Sequence, residues 1–210
     1  VTGVQTCALP ISRPEHHVLY MSILTALPGS ICVYQGEEMG LSQSKLEDIV
    51  MEDDPYGLNY SYISPIEACR AAIPWSDGVN DVMWLAPPNE NKVLCPDLQL
   101  GNPDSILEQS RQLLKYRQDS EILKCATKPV FVETHDHEVM IFIRSDKDYK
   151  NHVACVYNFG NSPKEIQFGD NNEASLTVDA LSPVLQETQL DLELLKKVKC
   201  LAVQDRKSVV

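Results

Sequence analysis

Apolar residues first recur at helical spacing near the start of the chain. Val18, Leu19, Ile23, Leu24 and Leu27 fall on one broad face. Pro14 suits the opening position of a helix, where its missing N–H would go unpaired anyway. A helix is therefore expected over residues 14–27, stopped by Pro28-Gly29. Ile31, Cys32, Val33 and Tyr34 follow as a continuous apolar run, the pattern of a short parallel strand covered on both faces. The pattern then dissolves. Between Gly36 and Gly101, prolines at 55, 65, 74, 87, 88 and 96 interrupt any period, and only residues 46–52 suggest a short helix. A loop of this length is unusual in a compact domain unless it is functional.

Periodicity returns at Asn102. Ile106, Leu107, Leu113 and Leu114 share a face, Pro103 and Asp104 suit a first turn, and Asn102 is placed to cap it, so a helix is expected over residues 102–118. Beyond Val130 the period shortens. Residues 130–134, 138–144, 152–158 and 165–168 read as strands separated by Asp, Asn, Gly and Ser turns. Such regular spacing predicts an antiparallel sandwich. After Ala174 the signal weakens: Leu190, Leu192 and Leu194 alternate like a strand, while residues 194–199 fit a helix equally well.

The two ends do not belong to this pattern. Residues 1–11 (VTGVQTCALPI) and 205–210 (DRKSVV) back-translate to sequences that share a reverse-complementary core, as in-frame sequencing-library adaptors would. Such segments are set aside from fold reasoning. The expected organisation is adaptor-derived sequence over 1–11, a helix, strand and long-loop part over 12–125, a C-terminal sandwich over 126–204, and adaptor-derived sequence over 205–210.

Charge narrows the function classes. Thirty acidic residues against 18 basic ones give −12; an acidic chain repels phosphate backbones, so no nucleic-acid partner is expected. No apolar run approaches the ~18 residues that span a bilayer, so no membrane partner is expected either. Cysteines 32, 69, 95, 125, 155 and 200 are scattered without a Cys-x-x-Cys pair, which favours reduced thiols and a cytoplasmic setting. His135 and His137 flank Asp136, but two ligands without a third make no metal site. Asp53-Asp54 lacks the spacing of a calcium loop. His16-His17 is expected on a helix surface. No metal and no cofactor are expected.

Several segments carry a resemblance in the right order. Ala26 through Gly40 (ALPGSICVYQGEEMG) reads as helix end, stop, strand and Gly-framed acidic loop. With Asp54-Pro-Tyr-Gly57, Cys69-Arg-Ala-Ala-Ile-Pro-Trp75, Asn102-Pro-Asp-Ser105 and Val156-Tyr-Asn-Phe159, it resembles the C-terminal part of α-amylase superfamily enzymes of the bacterial α-glucosidase, oligo-1,6-glucosidase-like branch. The resemblance covers about residues 14–168. It implies a mixed fold class, α/β plus all-β: the C-terminal remnant of a (β/α)8 TIM barrel followed by an antiparallel β-sandwich.

In that family two carboxylates carry out retaining hydrolysis of α-glucosidic bonds, one as nucleophile and one as acid then base. The resemblance places those carboxylates upstream of this chain, so no catalytic residue is assigned and the chain alone is expected to be inactive. It implies two substrate-binding residues. Arg70 matches an arginine lining the glucose subsite, where a guanidinium can donate to sugar hydroxyls and pair with a carboxylate. Glu38 matches a glutamate on the acceptor-subsite rim. Trp75 is expected to pack beneath the Arg70 loop, with stacking on a sugar as the other role open to it. The chain departs from the family at Ala71-Ala72-Ile73 and at Pro65-Ile-Glu-Ala68, where a basic residue is lost. The implied substrate is a small α-glucoside. A transglycosylating or isomerising relative, of sucrose isomerase or trehalose synthase type, and a non-catalytic amylase-like binding protein are the alternatives.

Overall fold

A computed structural model describes residues 16–43, 72–76 and 88–202. The helix expected over residues 46–52 lies outside them. The chain divides into two compact units, Val1–His17 with Cys32–Gln112 and Val18–Ile31 with Leu113–Val210. The helices are α1 (His17–Ala26), α2 (Pro96–Gln99), α3 (Ile106–Asp119), α4 (Glu121–Lys124) and α5 (Leu192–Leu195). Short 3₁₀ segments cover Glu37–Met39 and Asn89–Leu94. No described helix is long and apolar enough to cross a membrane.

Residues 31–34 pair with no strand among the described residues. The expected parallel strand is absent because no described segment offers it a partner. Helix α3 starts four residues later than expected. Its cap is Ser105, whose Oγ accepts the Glu108 N–H at 3.2 Å, while Asn102 Oδ1 accepts the Asp104 N–H at 3.1 Å in the preceding turn. Ser105 and Glu108 have the Ser-x-x-Glu spacing of a capping box, although the Glu108 carboxylate is used by Gly101 N–H and Arg111.

The second unit is a sandwich of two antiparallel sheets. Strands β1 (Val130–Val132), β2 (Val139–Ser145), β3 (His152–Asn158), β4 (Lys164–Phe168), β5 (Ala174–Val178), β6 (Ser182–Thr188) and β7 (Val198–Ala202) form it. One sheet has the order β1-β2-β3-β6 and the other β5-β4-β7. The register sets Ile141 opposite Val156, and Val156 opposite Val184.

One face of β2 and β3 (Ile141, Ile143, Ala154, Val156) meets Ile166, Phe168, Val178 and Leu195 in the inter-sheet core. The opposite face (Phe142, Val153, Cys155, Tyr157) packs on Leu19 and Ala26 of α1 and on Ile122 and Leu123 of α4. These strands are covered on both sides, which is why their sequence runs apolar without alternating. Phe142 and Tyr157 stack with ring centroids 5.5 Å apart. Of the apolar residues expected to face the core along α1, only Leu19 is fully buried; the buried stripe also holds Ser22 and Thr25.

Asn158 closes the sandwich. Its side chain is fully buried. Its Nδ2 donates to the Ser162 and Asp179 carbonyls at 2.8 and 3.0 Å, and its Oδ1 accepts the Gly160 N–H at 2.9 Å. The Asn-Phe pair that carried part of the resemblance thus has a structural role, pinning the β3–β4 turn to the end of β5.

Candidate functional site

The acidic loop is built around two glycines. Gly36 has φ 93° and Gly40 φ 78°, a left-handed conformation that side chains resist. Gly40 is also a close approach, because a Cβ there would lie 2.5 Å from Ile106 Cδ1. Between them, Met39 and Leu41 N–H both donate to the Gly36 carbonyl (3.2 and 3.0 Å), and Gly40 N–H donates to Glu37 O (3.1 Å). Met39, Leu41 and Ile73 form a buried cluster flanked by Leu94 and Leu107. The loop is therefore a closed turn with an apolar plug.

Both carboxylates turn back on this turn. Glu37 Oε2 accepts the Tyr34 N–H and Glu38 Oε2 accepts the Gly36 N–H, each at 3.0 Å. Burial raises the Glu37 pKa; the bond from Tyr34 opposes that rise and the charge of Glu38 adds to it. Glu38 is half-buried, and its second oxygen has no hydrogen-bond partner among the described residues. That oxygen can accept a hydroxyl.

Of the two residues expected to bind substrate, Glu38 is placed by the structure and Arg70 lies outside the described residues, as does Cys69. Nothing among the described residues brings the two together. Trp75 does not pack inward as expected: it is 62% exposed, while Ile73 and Pro74 before it are buried.

Two amides that sequence reasoning passed over hold the loop. Asn91 is buried; its Oδ1 accepts the Ser42 N–H at 2.8 Å and its Nδ2 donates to Ser42 O at 2.7 Å. Gln99 is also buried and donates to Met39 O. Their neighbours invert the usual pattern. Val93, Leu98 and Leu100 are 66%, 48% and 54% exposed, so a search for apolar faces points the wrong way here. The only hint was an amide set within Leu98-Gln99-Leu100.

His17 is a second correction. Expected on a helix surface, it is 2% exposed, and neither ring nitrogen has a hydrogen-bond partner among the described residues. The ideal Cβ position of Gly40 lies 3.6 Å from its Cγ. Burial, with His16 adding, lowers its pKa. In the second unit His152 is buried too, with Nδ1 2.8 Å from Ser145 Oγ; burial lowers its pKa against the opposing pull of Asp146 and Asp191.

Both histidines bind a proton less readily in the folded chain than in the unfolded one, which takes up protons near pH 6.5. Stability is therefore intact above 6.5. It falls as pH drops below it, by at most about 1.4 kcal/mol per pH unit for each group, until the folded values are reached. Glu37, whose pKa is raised, works in the opposite direction at lower pH. Urea midpoints measured from pH 8 to 5 should decline, and His17→Leu should flatten the decline in the first unit. An unchanged slope would contradict this account.

His135 and His137 sit exposed on the β1–β2 hairpin. Among the described residues no three His, Cys, Asp or Glu side chains converge as metal ligands would.

No family model matches the chain. It is 31% identical over 151 residues to a probable alpha-glucosidase of Rhizobium meliloti, covering 68% of this chain and 26% of that protein. It is 27% identical over 208 residues to a glucan 1,6-alpha-glucosidase of Streptococcus pneumoniae, covering 88% of this chain and 36% of that one. Among solved structures, a trehalulose synthase superposes with a TM-score of 0.67 at 16% identity, over 84% of this chain and 38% of its own. The trehalose-6-phosphate hydrolase of Bacillus licheniformis gives 0.64 at 19%, over 82% and 38%. The chain thus spans about a quarter to a third of the curated relatives it matches. It belongs to the α-amylase family and corresponds to a C-terminal portion of such proteins, similar to α-glucosidases, with the end of the barrel followed by the β-sandwich.

Proposed function

We propose that the longer protein containing this chain is a retaining α-glucosidase acting on small α-glucosides, and that this chain supplies the rim of its acceptor subsite. The observation that carries the reading is Glu38: a carboxylate fixed by the Gly36 N–H, with one oxygen unpartnered among the described residues and able to accept a hydroxyl, on a turn clamped by two glycines and an apolar plug. Arg70 lines the glucose subsite. Residues 12–125 complete the barrel and residues 126–204 form the sandwich, with adaptor-derived sequence at either end. The five described cysteines are free thiols, which fits a reducing, cytoplasmic compartment.

The chemistry is transfer of a glucosyl group to a carboxylate and then to water. This chain's part is to orient the sugar on the leaving side. Losing one hydrogen bond to a charged group costs about 1.5–3 kcal/mol. Glu38→Ala in the full-length protein is therefore expected to raise KM for maltose about tenfold or more. The effect on p-nitrophenyl α-glucoside should be smaller, because its leaving group offers no sugar hydroxyl. Equal effects on both substrates would sink the assignment.

The alternative is an isomerising or transglycosylating relative, which a shared fold fits without favouring. Solved structures of the same fold include an isomaltulose synthase of Erwinia rhapontici bound to sucrose. Product analysis on maltose, isomaltose and sucrose separates the two: glucose release supports the hydrolase, and an isomeric disaccharide supports the isomerase. Absence of turnover on all three would favour a binding protein.

A further inference from the structure

We propose that Gln99 is a positioning residue for Glu38, its side-chain amide setting where the acidic turn presents that carboxylate. The inference rests on the reading of Glu38 as a sugar-facing rim group, and adds the device that aims it.

Gln99 ends the four-residue helix α2. It is 4% exposed although it lies between two exposed leucines. Its Nε2 donates to Met39 O at 3.0 Å and to Leu94 O at 2.6 Å, and its Oε1 accepts the Leu107 N–H at 2.9 Å. The orientation of the amide follows from its partners: a flip would turn its oxygen onto two carbonyl oxygens and its NH₂ onto an N–H. The backbone carbonyl of Gln99 is held as well, accepting from Ser105 Oγ at 2.9 Å.

Two contacts act on Met39, the residue next to Glu38. Its side chain enters the apolar plug with Leu41 and Ile73. Such packing is not directional, so it holds the turn down without fixing its rotation. The bond from Gln99 to the Met39 carbonyl is directional. It is made by a side chain whose other end takes an N–H from the first turn of α3, a donor that has no partner within the helix. The turn is thereby referenced to a 14-residue helix rather than to its own loop.

The test uses Gln99→Glu, which keeps size and the acceptor for Leu107 N–H. At pH 7 it sets a carboxylate against two carbonyl oxygens. Below about pH 5 the acid regains an O–H donor. In the 210-residue chain, amide-exchange protection of Gly40 and Leu41 should fall about tenfold at pH 7, the equivalent of one net hydrogen bond. It should recover below about pH 5. Gln99→Leu should lose the same protection without recovering it. Protection at Ile141 and Val156 in the sandwich should not move, which separates aiming from a general loss of stability. Unchanged protection in Gln99→Glu, or a loss that acid does not reverse, overturns the inference.

In the full-length protein the same variant should raise KM for maltose with little change in kcat, in the direction expected of Glu38→Ala. If the exchange results hold while neither variant alters KM for maltose, the mechanical coupling stands and the sugar-rim reading of Glu38 is what fails.

Discussion

Arg144→Leu should lower the stability of the sandwich unit by about 3 kcal/mol, a drop of roughly 10–20 °C in its melting temperature. Arg144 is fully buried on β2 and has no carboxylate partner among the described residues. Its guanidinium donates instead to the carbonyls of Ala26, at the end of α1, and of Cys125, just past α4. Arg117 works beside it, donating to the carbonyls of Thr25, Leu27 and Gly29. The last carbonyls of a helix have no partner within it and carry its negative end, so the two arginines together cap α1.

Two effects oppose each other in the leucine variant. Removing a desolvated cation, whose Nε has no partner and which is repelled by Arg117, is favourable. Leaving two carbonyls without donors in a buried site costs about 1–3 kcal/mol each. The second effect should win, because the carbonyls stay in place after the cation has gone. Arg144→Lys should recover less than half of the loss, since a single ammonium cannot span both carbonyls as a planar fork does. Thermal unfolding of the three chains decides it. A leucine variant as stable as the parent would mean that the cost of burying the charge had cancelled the whole gain.

The sandwich was largely legible because its strands carry their own punctuation. Strands β2, β3 and β4 start and stop within a residue of the expected limits. Strand β6 was not legible because Pro183 interrupts its apolar pattern; the fold tolerates it because β6 is at the edge of its sheet. Residues 190–194 alternated like a strand, but Asp191 Oδ1 accepts the Glu193 N–H and starts α5 instead. Local capping outweighed the period.

At the site, Gly36 and Gly40 framed the acidic turn, since little else tolerates those backbone angles, while Glu38 was singled out within it by the family resemblance alone. Gln99 and Asn91 could not be found this way. Their role comes from backbone carbonyls and N–H groups far along the chain, such as Met39 O 60 residues away, and residue type alone carries no record of those partners. His17 escaped for a related reason. A helix-surface reading assumes water on one side, and the turn at Gly40 takes that place.

Gly40→Val should have the largest effect on the site itself, destabilising the first unit by about 3 kcal/mol and raising KM for maltose in the full-length protein at least as much as Glu38→Ala. Two costs add. A β-branched residue held at φ 78° is strained by about 1–3 kcal/mol. Its Cβ also lies 2.5 Å from Ile106 Cδ1, an overlap that typically costs a further 1–3 kcal/mol in a packed site. Part of the overlap relaxes, because the end of the Ile106 side chain can rotate away; the strain at φ cannot relax while Gly40 N–H still bonds to Glu37 O.

The two costs can be separated by a double-mutant cycle. Gly40→Ala carries the same Cβ, so combining it with Ile106→Ala removes the overlap and leaves the backbone strain. The pair should be less destabilising than the sum of the singles by about 1 kcal/mol. If the effects simply add, the overlap costs nothing and the glycine is required for its backbone angle alone. If Gly40→Val leaves both stability and KM unchanged, the acidic turn is not the rigid platform that Glu38 requires.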